Sequence, residues 1–318
     1  MSVDVKGIQA EAARLLDEVG KAIVGKRETL EKVLLAVLCD GHVLLEDFPG
    51  LAKTLMAKSF AAALGLTFRR IQFTPDLLPA DITGTYVHER KSGEFVLRKG
   101  PVFTNVLLAD EINRAPPKTQ SALLEAMQER QATLEGETHR LPHPFIVLAT
   151  QNPIEYEGTY PLPEAQIDRF LLRLSIGYPT AAEEIEILRR RRARGTDEVA
   201  IAPVLASEAI AAMQAGLERV HIDEGVEKYI VEIVTRTRRH PQVEVGASPR
   251  GSLALMKLAR AQAALRGRDF VVPDDVKAIA VPGLAHRLIL KPDPWIKGVQ
   301  GTAVIAEVLE KVTVPKVE

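Results

Sequence analysis

The sequence predicts an α/β protein: an αβα core with a mostly parallel five-stranded sheet, followed by a small all-α domain. Three observations carry this reading. Short apolar runs of strand length fall at 42–46, 68–73, 105–109, 145–150 and 171–176. Helical segments separate several of them, as crossovers between parallel strands require. After Thr180 the strand pattern stops, and residues 206–312 read as mainly helical.

The elements follow in order. Ile8, Ala12, Leu15, Leu16 and Val19 recur at helical spacing until Val24-Gly25-Lys26 interrupts them, and a second helix runs over 27–39. Two connections between core strands read as β-hairpins: 83–89 with 94–98 around Lys91-Ser92-Gly93, and 132–134 with 139–141 around Glu135-Gly136-Glu137. A helix with Ile185 and Leu188 on one face leads into the basic run 189–194. Another helix stops at His240-Pro241, and the next starts at Ser248-Pro249. The chain has 318 residues and 46% hydrophobic content, enough for a large core and a smaller second unit. We place these at 1–195 and 196–318.

Composition disfavours several classes of partner. Lys+Arg at 41 against Asp+Glu at 42 leave a net charge of −1, with no general attraction to a nucleic-acid backbone or an anionic membrane. The basic run lacks interleaved aromatics and reads as a solvated or subunit-facing helix. The single cysteine, Cys39, forms neither an internal disulfide nor a cysteine metal cluster, and reads as a core thiol. The apolar run 33–39 is too short for a bilayer span and the N-terminus has no long apolar stretch, so a cytoplasmic location is expected. His139 and His143 lack accompanying ligands and read as loop residues.

The run ending at Glu46 passes into Asp47-Phe48-Pro49-Gly50-Leu51-Ala52-Lys53-Thr54, and a helical run begins at Leu55. Holding a phosphate chain requires a tight loop with inward N–H groups, a helix N-terminus behind it and a lysine. Lys53 supplies the lysine, and Thr54 a hydroxyl for Mg²⁺. The stretch departs from GxxxxGK[ST] at both glycine positions, where Asp47 and Ala52 stand. Ala52 tolerates helical angles, so a helix beginning one residue early is expected to absorb the change. Asp47 repels phosphate unless its carboxylate points away. Taken alone, the segment is also compatible with a strand-turn-helix in which Lys53 is a solvated charge.

A second element decides between these. The apolar strand Asn105-Val106-Leu107-Leu108-Ala109 ends in Asp110-Glu111, an arrangement that sets one carboxylate on a metal and the other on an attacking water. An isolated acidic strand end is common, but this one follows a phosphate loop. Asn152, emerging from another core strand at Gln151-Asn152-Pro153, is placed to orient the water. Arg169 precedes the fifth strand, too far to serve its own nucleotide but able to reach a neighbour's as an arginine finger. Arg250 begins a helix of the second domain and is expected at the γ-phosphate, with nucleotide between the domains. A surface salt bridge is the commoner role of either arginine taken alone.

Together these residues resemble the MoxR family of AAA+ ATPases, in the branch that includes magnesium-chelatase motor subunits and dynein-like motors. The similarity covers nearly the whole chain and is most specific at LEDFPGLAKT (45–54), ADEINRAPPKTQSALLEAMQE (109–129) and ATQNPIEYEGTYPLPEAQIDRF (149–170). That family often accepts an acid at the first loop position and alanine before the lysine. The resemblance implies a P-loop core with a helical lid, ATP and ADP as ligands with Mg²⁺, Asn152 as sensor 1, Arg169 as the trans-acting finger and Arg250 as sensor 2. It also implies that Val24 and Gly25 flank the adenine, and that the hairpins are inserts facing a pore or a substrate. By the same resemblance the active form is a hexameric ring that remodels or matures client proteins, including cofactor or metal loading, with an adaptor bearing a von Willebrand factor A-type domain. No Asp-x-Ser-x-Ser run occurs here, so that domain is expected on a separate polypeptide.

Two rivals belong to other classes. A nucleotide-gated scaffold with little turnover is opposed by Glu111 and Arg169. A DNA-translocating motor is opposed by the neutral charge and the lack of a separate DNA-binding module.

Overall fold

The computed structural model describes residues 4–91, 93–152 and 158–315. In chain order the strands are β1 (Val43–Glu46), β2 (Phe68–Gln72), β3 (Gly84–His88), β4 (Phe95–Lys99), β5 (Val106–Asp110), β6 (Gln131–Leu134), β7 (Glu137–Arg140), β8 (Ile146–Gln151), β9 (Leu172–Leu174), β10 (Val243–Val245) and β11 (Ile289–Leu290). Five of them form the central sheet in the order β2-β5-β8-β1-β9, and every pairing in it is parallel. The helices before and between these strands are α1 (Val5–Gly20), α2 (Arg27–Leu38), α3 (Lys53–Ala63), α4 (Pro79–Thr83) and α5 (Pro117–Glu129).

The two faces of the sheet are sorted by the two-residue period of a strand. Val43 and Leu45 of β1, Leu108 of β5 and Leu148 of β8 enter one apolar cluster with α1, α2 and α3. Leu44, Leu107, Ala109, Val147 and Ala149 enter the other, against Leu123, Leu124 and Met127 of α5. Burial on both faces explains why the strands read as continuous apolar runs instead of alternating ones.

The hairpins β3–β4 and β6–β7 are antiparallel and stand outside the sheet. The second has a tighter turn than the sequence suggests. Only Glu135 and Gly136 form it, both with positive φ, so the returning strand already starts at Glu137. His139 therefore lies on β7, not in a loop, and its ring approaches Phe103 and the Tyr86 hydroxyl, which donates to Glu137 at 2.6 Å.

The remaining helices are α6 (Glu164–Ile167), α7 (Ala181–Arg194), α8 (Ser207–Leu217), α9 (Glu224–Arg239), α10 (Pro249–Leu265), α11 (Pro273–Leu284), α12 (Pro292–Ile296) and α13 (Gly301–Lys311). Met213, Ile233, Leu255, Leu258, Ile279 and Ile305 from this group share one apolar cluster with Leu15 of α1 and Leu34 of α2. The long helix α10 packs on both α1 and α2, and the Cys39 thiol donates to the Lys257 carbonyl, its pKa pushed up to about 12 by burial. On α7 no residue is buried; Arg190 and Arg191 of its basic run pair with Glu186 and Asp197. Among the described residues no helix is long and apolar enough to cross a membrane.

One buried side chain joins the turns that follow β1 and β9. Asp47 is 4% exposed, and its carboxylate accepts hydrogen bonds from Ser175 Oγ at 2.7 Å, Ile176 N at 2.5 Å and Gly177 N at 3.1 Å. Its own N–H donates to the Gln151 carbonyl of β8, so the residue ties three strand ends together. Asp47→Ala leaves those three donors without their acceptor and is expected to lower stability by about 3 kcal/mol, with Asp47→Asn losing about half as much. Urea denaturation midpoints check this, and equal midpoints for wild type and Asp47→Ala exclude the anchoring role.

Candidate functional site

The segment between β1 and α3 is a tight loop. Gly50 takes φ +83°, and Ala52 takes φ +56° with ψ +20°, the left-handed region. The helix therefore begins at Lys53, not one residue early, and Ala52 does not have helical angles. The chain must reverse sharply at this residue for the loop to close, and the missing glycine costs about 1 kcal/mol of backbone strain. The Asp47 carboxylate is directed to the end of β9, which removes the repulsion that its position in the sequence raised. What Asp47 presents to the loop is its carbonyl, which with that of Phe48 accepts from Lys53 Nζ at 2.7 and 3.2 Å. Burial lowers the Lys53 pKa, and Asp47, Asp110 and Glu111 oppose the shift. The first N–H groups of α3 have no side-chain cap, so the helix end offers its dipole and donors to an anion.

A cleft of about 450 Å³ opens above the loop, lined by residues 49–55 with Arg70, Gln72, Asp110, Glu111 and Asn152. The loop follows β1, Gln72 and Asp110 end β2 and β5, and Glu111 and Asn152 follow β5 and β8, so the cleft lies at the carboxyl ends of parallel strands, where open α/β sheets bind ligands. The two acids are held by a polar network. Thr150 Oγ1 donates to Asp110 Oδ1 at 2.6 Å and accepts the Glu111 N–H at 2.8 Å. Arg70 donates to Asp110 Oδ2 from Nη2 at 2.7 Å and from Nε at 3.1 Å. Gln72 Nε2 donates to Glu111 Oε2 at 2.7 Å, and Arg114 Nε lies 3.1 Å from the same oxygen. Glu111 itself holds φ +55°, a left-handed conformation that a non-glycine residue keeps only when its surroundings enforce it.

Sequence reasoning passed over Arg70, Gln72 and Thr150. A signal for the first two exists: Phe68-Arg69-Arg70-Ile71-Gln72 places polar residues two apart near the end of a core strand, hence on one face.

Beside the loop, Phe48 stacks on Tyr178 with ring centroids 5.7 Å apart, and Lys26 Nζ donates to the Tyr178 carbonyl at 2.7 Å. Gly25 takes φ +69°, with the Glu183 carboxylate where a side chain would stand. Gly25 thus meets Glu183, and its neighbour Lys26 meets Tyr178, which stacks on Phe48.

Arg169 and Arg250 lie elsewhere. Arg169 stands before β9 at the amino edge of the sheet, and its Nη1 donates to the Leu124 carbonyl at 2.6 Å. Arg250, at the start of α10, reaches within 3.9 Å of Asp168. Arg287 donates to the Asp168 carboxylate and, at 3.0 Å, to the Phe170 carbonyl. These residues line a second cleft of about 290 Å³, together with Arg130, Leu253 and Lys257. Arg250 thus lines this second cleft, whereas Lys53 lines the first. Because α10 lies along α1 and α2, its N-terminus comes to the edge of the sheet opposite Lys53.

Comparison with known proteins bears on what this geometry does. Residues 42–172 match the family model of the ATPase family associated with various cellular activities (AAA), and residues 235–308 match the AAA lid domain. The chain is 49% identical to the uncharacterized protein YeaC of Bacillus subtilis, covering 95% of this chain and 94% of that one. It is 44% identical to the chaperone MoxR1 of Mycobacterium tuberculosis, over 98% of this chain and 85% of that protein. The crystal structure of a proposed ATPase from Cytophaga hutchinsonii superposes with a TM-score of 0.91 at 41% identity, covering 97% of this chain and 96% of that one. Full-length relatives of this identity, together with matches to both the ATPase core and the lid, establish that the chain belongs to the MoxR family of AAA+ ATPases and hydrolyses ATP.

Proposed function

We propose that hydrolysis is Mg²⁺-dependent, is completed between neighbouring subunits of a hexameric ring, and drives remodelling or maturation of client proteins. The observation that carries this reading is the placement of two clefts at opposite edges of one sheet. Lys53, Asp110 and Glu111 line one, and Arg169 and Arg250 line the other. A chain cannot bring its own arginines to its own loop cleft across the sheet, whereas a neighbour packed edge to edge presents them there.

Within the loop cleft, Lys53 and the α3 N-terminus hold the phosphate chain, and Val24 and Gly25 flank the base beside Phe48. The Thr54 hydroxyl and the Asp110 carboxylate are hard oxygen donors on adjacent elements and suit Mg²⁺, which takes few protein ligands alongside phosphate oxygens and water. When bound, the ion supplies charge neutralisation at the transferring phosphoryl group. Glu111, oriented by Gln72 and Arg114, accepts a proton from the attacking water, and Asn152 positions that water. Arg169 and Arg250 of the next subunit stabilise the charge that develops as the bond to the leaving phosphate breaks.

We assign the nucleotide-binding core to 1–195 and the lid to 196–318. The lid shares its apolar cluster with α1 and α2, so a change at the subunit junction is transmitted to the core as a shift of packed helices. The two hairpins stand outside the sheet, with Tyr86 of the first meeting Glu137 of the second, and are suited to carry motion to a client, with Phe95 70% exposed on the first. Family membership and the name of MoxR1 support a chaperone-like role, and we assign it to the cytoplasm. A separate partner with a von Willebrand factor A-type domain is expected to select the client.

Two experiments test this reading. Glu111→Gln is expected to bind ATP with near-normal affinity and to lower turnover at least about a hundredfold, because the general base is lost while the phosphate contacts remain. Near-normal phosphate release by that variant removes Glu111 from its role. Arg169→Ala and Arg250→Ala should each be inactive alone, yet each should regain activity when mixed with Lys53→Ala, whose subunits cannot bind nucleotide but still supply both arginines. Rescue absent at every mixing ratio, with assembly intact by light scattering, places the arginine in question in its own chain's chemistry.

A further inference from the structure

Arg70 has no part in the reading above, yet it makes the closest charged contact in the loop cleft. Both oxygens of Asp110 are engaged. Oδ1 accepts from Thr150, and Oδ2 accepts two N–H bonds from the one guanidinium, at 2.7 and 3.1 Å. The Asp110 side chain is only 13% exposed, whereas that of Arg70 is 48% exposed and sits at the cleft mouth. Strand register accounts for the contact. Gln72 stands directly opposite Asp110 and Arg70 opposite Leu108, so the two polar side chains of β2 share one face and lie across the end of β5. Arg70 also donates to Gln72 Oε1 at 2.7 Å, and Gln72 in turn holds Glu111, so one arginine is connected to both acids.

A guanidinium and a divalent cation on the same carboxylate oxygen repel each other, and the weakly hydrated, half-exposed arginine is the more easily moved of the two. We propose that Arg70 is a tethered counter-cation that occupies Asp110 Oδ2, competes with a metal ion for that carboxylate, and leaves it for the terminal phosphate when metal and triphosphate arrive together. The transfer exchanges one charge-assisted pair for another, guanidinium on carboxylate for guanidinium on phosphate. It requires no bond making or breaking in either partner. With a diphosphate there is no terminal phosphate to receive the guanidinium, and Arg70 continues to compete with the metal. Arg70 thereby makes metal binding depend on the length of the phosphate chain and favours release of metal with the diphosphate product. When it moves, Gln72 loses a partner, which couples the same event to the orientation of Glu111. The inference rests on the assignment of Asp110 to the metal.

Mn²⁺ serves as a paramagnetic stand-in for Mg²⁺, and its binding to the purified full-length protein is measured by electron paramagnetic resonance in the presence of ADP or a slowly hydrolysed ATP analogue. In wild type, Mn²⁺ is expected to bind more tightly with the triphosphate analogue than with ADP. Arg70→Ala and Arg70→Gln are expected to tighten Mn²⁺ binding in the ADP complex about tenfold, as loss of one charge-assisted competitor implies, and to narrow the gap between the two nucleotides. Arg70→Lys, which keeps the charge, should stay close to wild type. Unchanged or weaker Mn²⁺ binding with ADP in both Arg70→Ala and Arg70→Gln overturns the proposal while leaving the metal site in place. If wild type holds no Mn²⁺ with either nucleotide, the assignment of Asp110 to the metal fails first, and the inference falls with it.

Discussion

Three donors from the turn after β9 converge on one carboxylate from the turn after β1. Because Asp47 is buried, its charge has no water to fall back on, and separating it from Ser175, Ile176 and Gly177 leaves an unpaired ion in the interior. The bond network therefore fixes the edge strand β9 against β1. It also holds the first residue of the phosphate loop, whose carbonyl meets Lys53. Since β9 is short, the contact acts at both of its ends. Its carboxyl end carries the Asp47 donors, and its amino end follows Arg169 within about 10 Å of chain. One interaction thus shapes the loop in one cleft and sets the position of an arginine in the other.

The division of the chemistry between two edges follows from the parallel sheet. All five strands run the same way, so residues that terminate strands collect at one edge and residues that precede strands collect at the other. Lys53, Asp110, Glu111 and Asn152 follow strands, whereas Arg169 precedes one. Arg250 joins Arg169 for a different reason, namely that α10 buries its apolar face along α1 and α2 and delivers its N-terminus to the amino edge. At the carboxyl edge, strain and hydrogen bonding work together. Glu111 is kept in a left-handed conformation while Thr150 takes its N–H and Gln72 its carboxylate, so its carboxylate is oriented by the protein alone.

Ala52 and Asp47 show why a loop motif is read imperfectly from letters. Both stand where glycine is usual. Ala52 keeps the left-handed backbone that glycine would take and tolerates the strain, so the loop shape persists although the residue changed. Asp47 turns its side chain out of the loop altogether. Neither outcome follows from residue type, since each depends on where the neighbouring strand ends.

The sequence by itself determined the fold class, the five core strands and both hairpins, and it singled out Lys53, Thr54, Asp110 and Glu111, which the fold gathers at one cleft. These rest on local patterns: apolar runs bounded by turns, a strand entering a loop, an acidic pair ending a strand. Only the tertiary structure decided that Arg70, Gln72 and Thr150 hold the acids, that Asp47 faces β9, and that Arg250 lies with Arg169 away from Lys53. Those relations join residues far apart in the chain, 40 positions for Arg70 and Asp110 and 128 for Asp47 and Ser175. They are set by strand register and helix packing, which bring together side chains that no local periodicity relates.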